Sequence, residues 1–214
     1  MTLRLDFYFF IGSTYTHLSV HRAGALAAER GVELVWRPFS LRTLLREQNN
    51  TPFLDKPAKM KYMWRDLERR ARRFGVPFIG PVKYPIDPDN RASHLATLAA
   101  VEGWCEPFVR AVYQTWFVDG LDPGTPEVLE RIVATLGRPA DSLERAQAPE
   151  VVARYAEHTD TARALGLFGA PTFVHEGREL FWGDDRLEEA LDWACAAAPS
   201  SSVVDPRSLQ SSVI

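Results

Sequence analysis

Cysteine is nearly absent: the 214 residues hold two, Cys105 and Cys195. They are far apart and in no C-x-x-C or metal-ligand spacing, which excludes a dithiol redox centre and a disulfide framework and leaves reduced thiols in a cytoplasmic chain as the expectation. No apolar run approaches the ~20 residues needed to cross a bilayer. The opening Met1-Thr2-Leu3-Arg4 enters a strand pattern at once, without the basic, apolar and cleavage regions of a leader, so a soluble protein with no membrane partner is expected. Charge of one sign is lacking as well. The 25 Lys and Arg stand against 28 Asp and Glu, a net charge of -3, which gives no general attraction to nucleic acid and points to a small-molecule partner. His17 and His21, one helical turn apart, have no further ligands in the pattern, and no metal is expected.

The chain has enough apolar residues, 46%, to bury one sizeable core. Leu3, Leu5, Phe7 and Phe9 alternate with Arg4, Asp6, Tyr8 and Phe10, the period of a strand whose second face is also largely covered. Thr14 to Arg30 reads as a helix stopped by Gly31, and Val32–Arg37 as a second strand ended by Pro38. This β-α-β opening implies a right-handed parallel crossover. From Ser40 to Gly166 no strand pattern occurs, whereas residues 59–74, 91–101, 106–118, 126–136 and 151–165 carry helical ones. Thr172–His175, a Glu176-Gly177 turn and Glu179–Trp182 read as an antiparallel hairpin, followed by a helix from about Asp184 to Ala197. The reading is an α/β thioredoxin-like domain in two pieces, 1–39 and 167–198, with an all-helical insertion at 40–166 and a loose tail at 199–214.

Ser13 occupies the strand-to-helix junction, where a thioredoxin-type enzyme carries its reactive cysteine. Free N–H groups and the positive end of a helix dipole stabilise an anion there, although a serine in this place can equally be a plain helix cap. Phe168-Gly169-Ala170-Pro171-Thr172 puts a proline directly before a strand, suited to a cis turn beside a ligand that pairs with the backbone of Ala170. Asp184 and Asp185 follow Trp182-Gly183 at a helix start, where they can cap the helix, hold an ammonium group, or both. Asp89-Asn90-Arg91 reads first as a cap and second as a carboxylate site through Asn90 and Arg91. The basic run from Lys59 to Arg73 reads as a solvated helix face.

Asp6-Phe7-Tyr8-Phe9 with Ser13, the stretch from Ala58 to Leu67, Phe168–Thr172 and Trp182–Leu187 together resemble the family of 2-hydroxychromene-2-carboxylate isomerases and kappa-class glutathione transferases. The resemblance implies a DsbA-like thioredoxin fold, glutathione as cofactor and a homodimer. It implies Ser13 as the catalytic hydroxyl that stabilises the glutathione thiolate, and Ala170, Pro171, Trp182, Asp184, Asp185, Asn50 and Lys59 as cofactor-binding residues. Tyr62, Asn90 and Arg91 are the candidate substrate-binding residues. The activity implied is isomerisation of an aromatic or unsaturated carboxylate from aromatic degradation; a kappa-like transferase or peroxidase, or a non-catalytic thioredoxin-fold binding module, are the alternatives. Two places depart from the family pattern: Thr14 stands where a proline is usual, adding a hydroxyl and an N–H beside the site, and Phe10-Ile11-Gly12 replaces a more acidic or serine-containing run.

Overall fold

The computed structural model describes residues 2–53 and 56–197. The expected tail at 199–214 lies outside the described residues.

Strand β1 (Leu3–Phe9) is followed by helix α1 (Thr16–Glu29) and strand β2 (Val32–Pro38), which pairs parallel to β1 from Leu3 opposite Val32 to Phe9 opposite Pro38. Helices α2 (Leu41–Glu47), α3 (Pro57–Phe74), α4 (Arg91–Val101), α5 (Cys105–Phe117), α6 (Pro126–Thr135), α7 (Ser142–Arg145) and α8 (Pro149–Ala164) come next. The sheet then resumes with β3 (Thr172–His175) and β4 (Glu179–Trp182), and a 3-10 turn at Asp184–Arg186 leads into α9 (Leu187–Ala196). Strand order is β2-β1-β3-β4, with β3 antiparallel to both its neighbours. Glu176 and Gly177 both have positive φ, as a tight hairpin turn requires.

Both faces of β1 are buried, which is why its polar phase carries aromatics. Leu5, Phe7 and Phe9 join Val20 and Ala23 of α1, Phe108 and Val112 of α5 and Leu191 of α9 in the main core. Tyr8 and Phe10 face a second cluster with Phe39, Leu44 of α2 and Ala162 of α8. A third cluster joins Leu18 of α1 to Met63, Leu67 and Ala71 of α3, so the insertion packs against the helix that follows Ser13. Trp104, Trp116, Phe108 and Phe117 are core residues, each at most 1% exposed.

The helical patterns correspond to α3, α4, α5, α6 and α8 with ends shifted by one or two residues. Helices α2 and α7 are additional. The last helix starts at Leu187 rather than Asp184, because Asp184–Arg186 winds as a 3-10 turn first. No helix among the described residues is long and apolar enough to cross a membrane.

Candidate functional site

The chain leaves β1 through a tight turn in which the Ser13 N–H donates to the Phe10 carbonyl at 2.8 Å. Helix α1 begins only at Thr16, with Tyr15 in the capping position and no side-chain cap. Ser13 is therefore not the cap. Its hydroxyl crosses to the other sheet segment and donates to the Ala170 carbonyl at 2.7 Å. The first turn of α1 holds no acid to offset the positive end of its dipole, although the His17 and Leu18 N–H groups already donate to the Thr14 and Tyr15 carbonyls.

The turn is pinned from below. Tyr113 of α5 is fully buried, and its hydroxyl proton is shared between the carbonyls of Phe10 at 3.0 Å and Ser13 at 3.1 Å. Burial pushes the Tyr113 phenol well above its ordinary pKa, so it remains a neutral donor. The Thr14 hydroxyl donates to the Met63 sulfur at 3.2 Å, which directs it into the α1–α3 contact. His17 is also turned inward: its Nε2 lies 2.8 Å from the Pro77 carbonyl among Phe78, Tyr113 and Phe117, and burial with His21 nearby lowers its pKa to about 3. A neutral imidazole buried in this way packs and does not act as a base on Ser13.

On one side of Ser13 lies a polar cleft of about 390 Å³ bordered by Tyr15, Arg70, Ala170, Trp182, Asp184 and Asp185. The Ala170-Pro171 bond is cis, and the Pro171 carbonyl accepts the Gly183 N–H at 2.9 Å, which ties β3 to the turn carrying the two acids. Gly183 has φ of 116°, and a Cβ there would lie 2.4 Å from Asp185 Oδ1, so glycine is required for the carboxylate to fold back over the turn. Asp184 is buried against Arg70, with Nη2 to Oδ2 at 2.7 Å. Burial raises its carboxyl pKa to about 7, Asp185 pushes the same way, and Arg70 and Arg22 oppose. Asp185 is exposed and has Arg186 at 4.0 Å. Trp182, half-exposed, meets Phe168 edge to face at 4.8 Å and closes over Gly169.

On the other side of the turn, Phe10, Gly12, Met60, Tyr84 and Pro85 wall an apolar cleft of about 500 Å³. Asn50 lines this cleft, away from the polar one. Lys59 stands over the Phe53 ring at 5.4 Å and borders neither cleft. Tyr62 is 60% exposed beside Arg69 and is likewise outside both. Arg91 pairs with Asp89 at 3.0 Å on the surface. Asn90, in the left-handed region, turns its carbonyl oxygen toward Arg42 at 3.5 Å. The helix cap expected from Asp89 or Asn90 comes instead from the buried Asp87, which accepts the N–H groups of Ala92 at 3.0 Å and Ser93 at 3.1 Å.

Ala170, Pro171, Trp182, Asp184 and Asp185 thus come together on one cleft, Ser13 meets it through its bond to Ala170, and Asn50 borders its neighbour. Sequence reasoning missed Arg70 and Tyr113. Arg70 was one of many basic residues on α3, and only the buried Asp184 distinguishes it.

Residues 4–192 match the family described as DSBA-like thioredoxin domain. A 2-hydroxychromene-2-carboxylate isomerase of Sphingobium xenophagum is 31% identical over 192 residues, covering 88% of this chain and 96% of the relative. The chain belongs to this family. Glutathione S-transferase kappa 1 of Caenorhabditis elegans is 25% identical over 211 residues, covering 88% and 89% of the two chains. The solved structure of a 2-hydroxychromene-2-carboxylate isomerase superposes with a TM-score of 0.78 at 25% identity, over 90% of this chain and 96% of that one. The family's DsbA-like thioredoxin fold is the one described above, and these relatives are enzymes.

Proposed function

We propose that this chain is a glutathione-dependent isomerase of the 2-hydroxychromene-2-carboxylate type, working in the cytoplasm as a homodimer on an intermediate of aromatic degradation. The observation that carries the reading is the Ser13 hydroxyl held 2.7 Å from the Ala170 carbonyl, at the head of an uncapped helix and at the edge of a charged cleft.

The residues present fit glutathione. Ala170 offers backbone to a cysteinyl unit, as a strand edge does to a peptide. The exposed Asp185 and the Arg70–Asp184 pair offer both signs of charge to a γ-glutamyl end that is itself zwitterionic. Bound glutathione would supply a thiolate that adds reversibly to a conjugated carbon, allows rotation about it and leaves unchanged. The protein must favour that thiolate over a thiol with an ordinary pKa of ~8.5.

Ser13 has the means to do so. Its proton now goes to Ala170, but that carbonyl is also the acceptor offered to a ligand N–H. That carbonyl has two lone pairs, so it can take a ligand N–H, and rotation of the Ser13 hydroxyl then brings its proton to the sulfur. A hydroxyl donating to the charged form, with the α1 N-terminus behind it, lowers a thiol pKa without being deprotonated itself. Tyr113 keeps the turn in place, and Thr14 is spent on Met63.

The test is calorimetric titration of glutathione, with glutathione then followed during turnover of a 2-hydroxychromene-2-carboxylate. Binding with a constant glutathione level is expected. Stoichiometric loss would make the chain a kappa-like transferase, and no binding would remove the glutathione reading altogether.

A further inference from the structure

The apolar cleft suits a flat ring, yet one side chain in it is out of keeping with that. Arg42 of α2 lines the cleft half-buried, its guanidinium 5.3 Å from the centroid of the Phe10 ring. Nη2 donates to the Ile86 carbonyl at 3.0 Å and Nη1 to the Asp87 carbonyl at 3.1 Å, with Asn90 Oδ1 at 3.5 Å. An arginine has five N–H donors. Nη1 and Nη2 each give one N–H to a backbone carbonyl, and Nε–H with the second Nη2–H have no acceptor among the described residues.

No described carboxylate hydrogen-bonds this fork either, although Arg42 is near enough to Asp87 to act on its carboxyl. The neighbouring Asp87 turns its oxygens to Ala92 and Ser93, including the Ser93 hydroxyl at 2.7 Å. Arg42 forms no ion pair with a described acid, and no described residue lining the cleft is acidic. Arg46, one helical turn further on, adds a second positive charge to the same wall. The backbone carbonyls have already fixed the orientation of the guanidinium, so little side-chain entropy is left to lose when an anion arrives.

We infer that Arg42 is the specificity-determining residue for the substrate: its Nε–Nη2 fork binds the carboxylate of a planar aromatic acid whose ring lies among Phe10, Met60 and Tyr84. This places the reading head for the acid across the Phe10–Ser13 turn from the polar cleft. Asn90 then serves as a positioning residue for Arg42, and Arg91 stays with Asp89. The inference rests on the reading of Ser13 as a thiolate site, since that is what would act on the bound acid.

The test titrates trans-2-hydroxycinnamate and its uncharged methyl ester onto the full chain, with glutathione titrated separately. Wild type should prefer the acid by about 10- to 100-fold, the range of one charge-assisted contact. Arg42→Gln should bring acid and ester within about twofold of each other while glutathione affinity stays, and Arg42→Lys should keep part of the preference. If Arg42→Gln fails to fold, wild type and Arg42→Lys still decide. Equal binding of acid and ester by wild type, or an acid preference that survives Arg42→Gln, would overturn the inference. An acid preference without glutathione binding in any variant would support Arg42 and remove the thiolate reading; glutathione binding without an acid preference would do the reverse.

Discussion

The two clefts that flank the Phe10–Ser13 turn are built on opposite electrostatic plans. In the polar cleft every charge has a counter-charge: Arg70 with Asp184, Arg186 with Asp185. In the apolar cleft the charges, Arg42 and Arg46, are of one sign and form no salt bridge with a described acid, the nearby Asp87 carboxyl being bonded to Ala92 and Ser93. Paired charges select a ligand that brings both signs, because a lone anion would have to displace a partner. A cationic wall beside aromatic rings selects an apolar anion. The turn between them carries Ser13, whose hydroxyl donates to Ala170 at the rim of the polar cleft.

The comparison breaks most visibly at the turn itself. Ser13→Ala should lower turnover about 10²- to 10³-fold, the usual loss of a donor to developing charge, while the fold is retained. Steady-state kinetics with circular dichroism check this, and near-normal turnover would leave Ser13 without a role. Arg70→Leu comes next, since it leaves Asp184 buried without its cation; a loss of about 2 kcal/mol in denaturant unfolding is expected, together with weaker glutathione binding. Asp185→Ala touches only the exposed end of the polar cleft. It should weaken glutathione about tenfold by calorimetry, with no change in the acid-over-ester preference.

A further effect is on pH. Burial holds the Asp184 carboxyl at about 7 in the folded chain, against an ordinary aspartate value of 3.8. Between these values the folded state holds the extra proton, so this residue makes stability fall as pH rises through the window. Asp184→Asn should remove that slope from unfolding curves measured across it; an identical slope in the variant would show that the carboxyl is ionised throughout.

How far the sequence disclosed this arrangement depended on the range of each interaction. Strands β1, β2, β3 and β4 were legible because alternation and the flanking Pro38 and Glu176-Gly177 signals are local. Helix α2 was not read, although Ser40 caps it through the Thr43 N–H and Leu41 and Leu44 are buried at helical spacing, since a seven-residue helix is less than two turns. Asp87 escaped because it caps α4 from five and six residues upstream, across a left-handed turn, rather than from the adjacent position. Arg70 and Tyr113 gain their meaning from Asp184 and Ser13, distant partners that only the packed chain brings near. For the same reason the site residues near the sheet, Ala170 and Asp184 with Ser13 bonded to Ala170, gathered at one cleft, whereas Asn50, Lys59 and Tyr62, placed by the longer insertion, did not join them.

The central claim is that Ser13 turns its hydroxyl from Ala170 to a ligand sulfur, and ultraviolet thiolate absorbance of bound glutathione against pH measures this most directly. The account predicts a titration midpoint clearly below ~8.5 on the wild-type protein and a return toward that value in Ser13→Ala with glutathione still bound. The same midpoint in both proteins would contradict it.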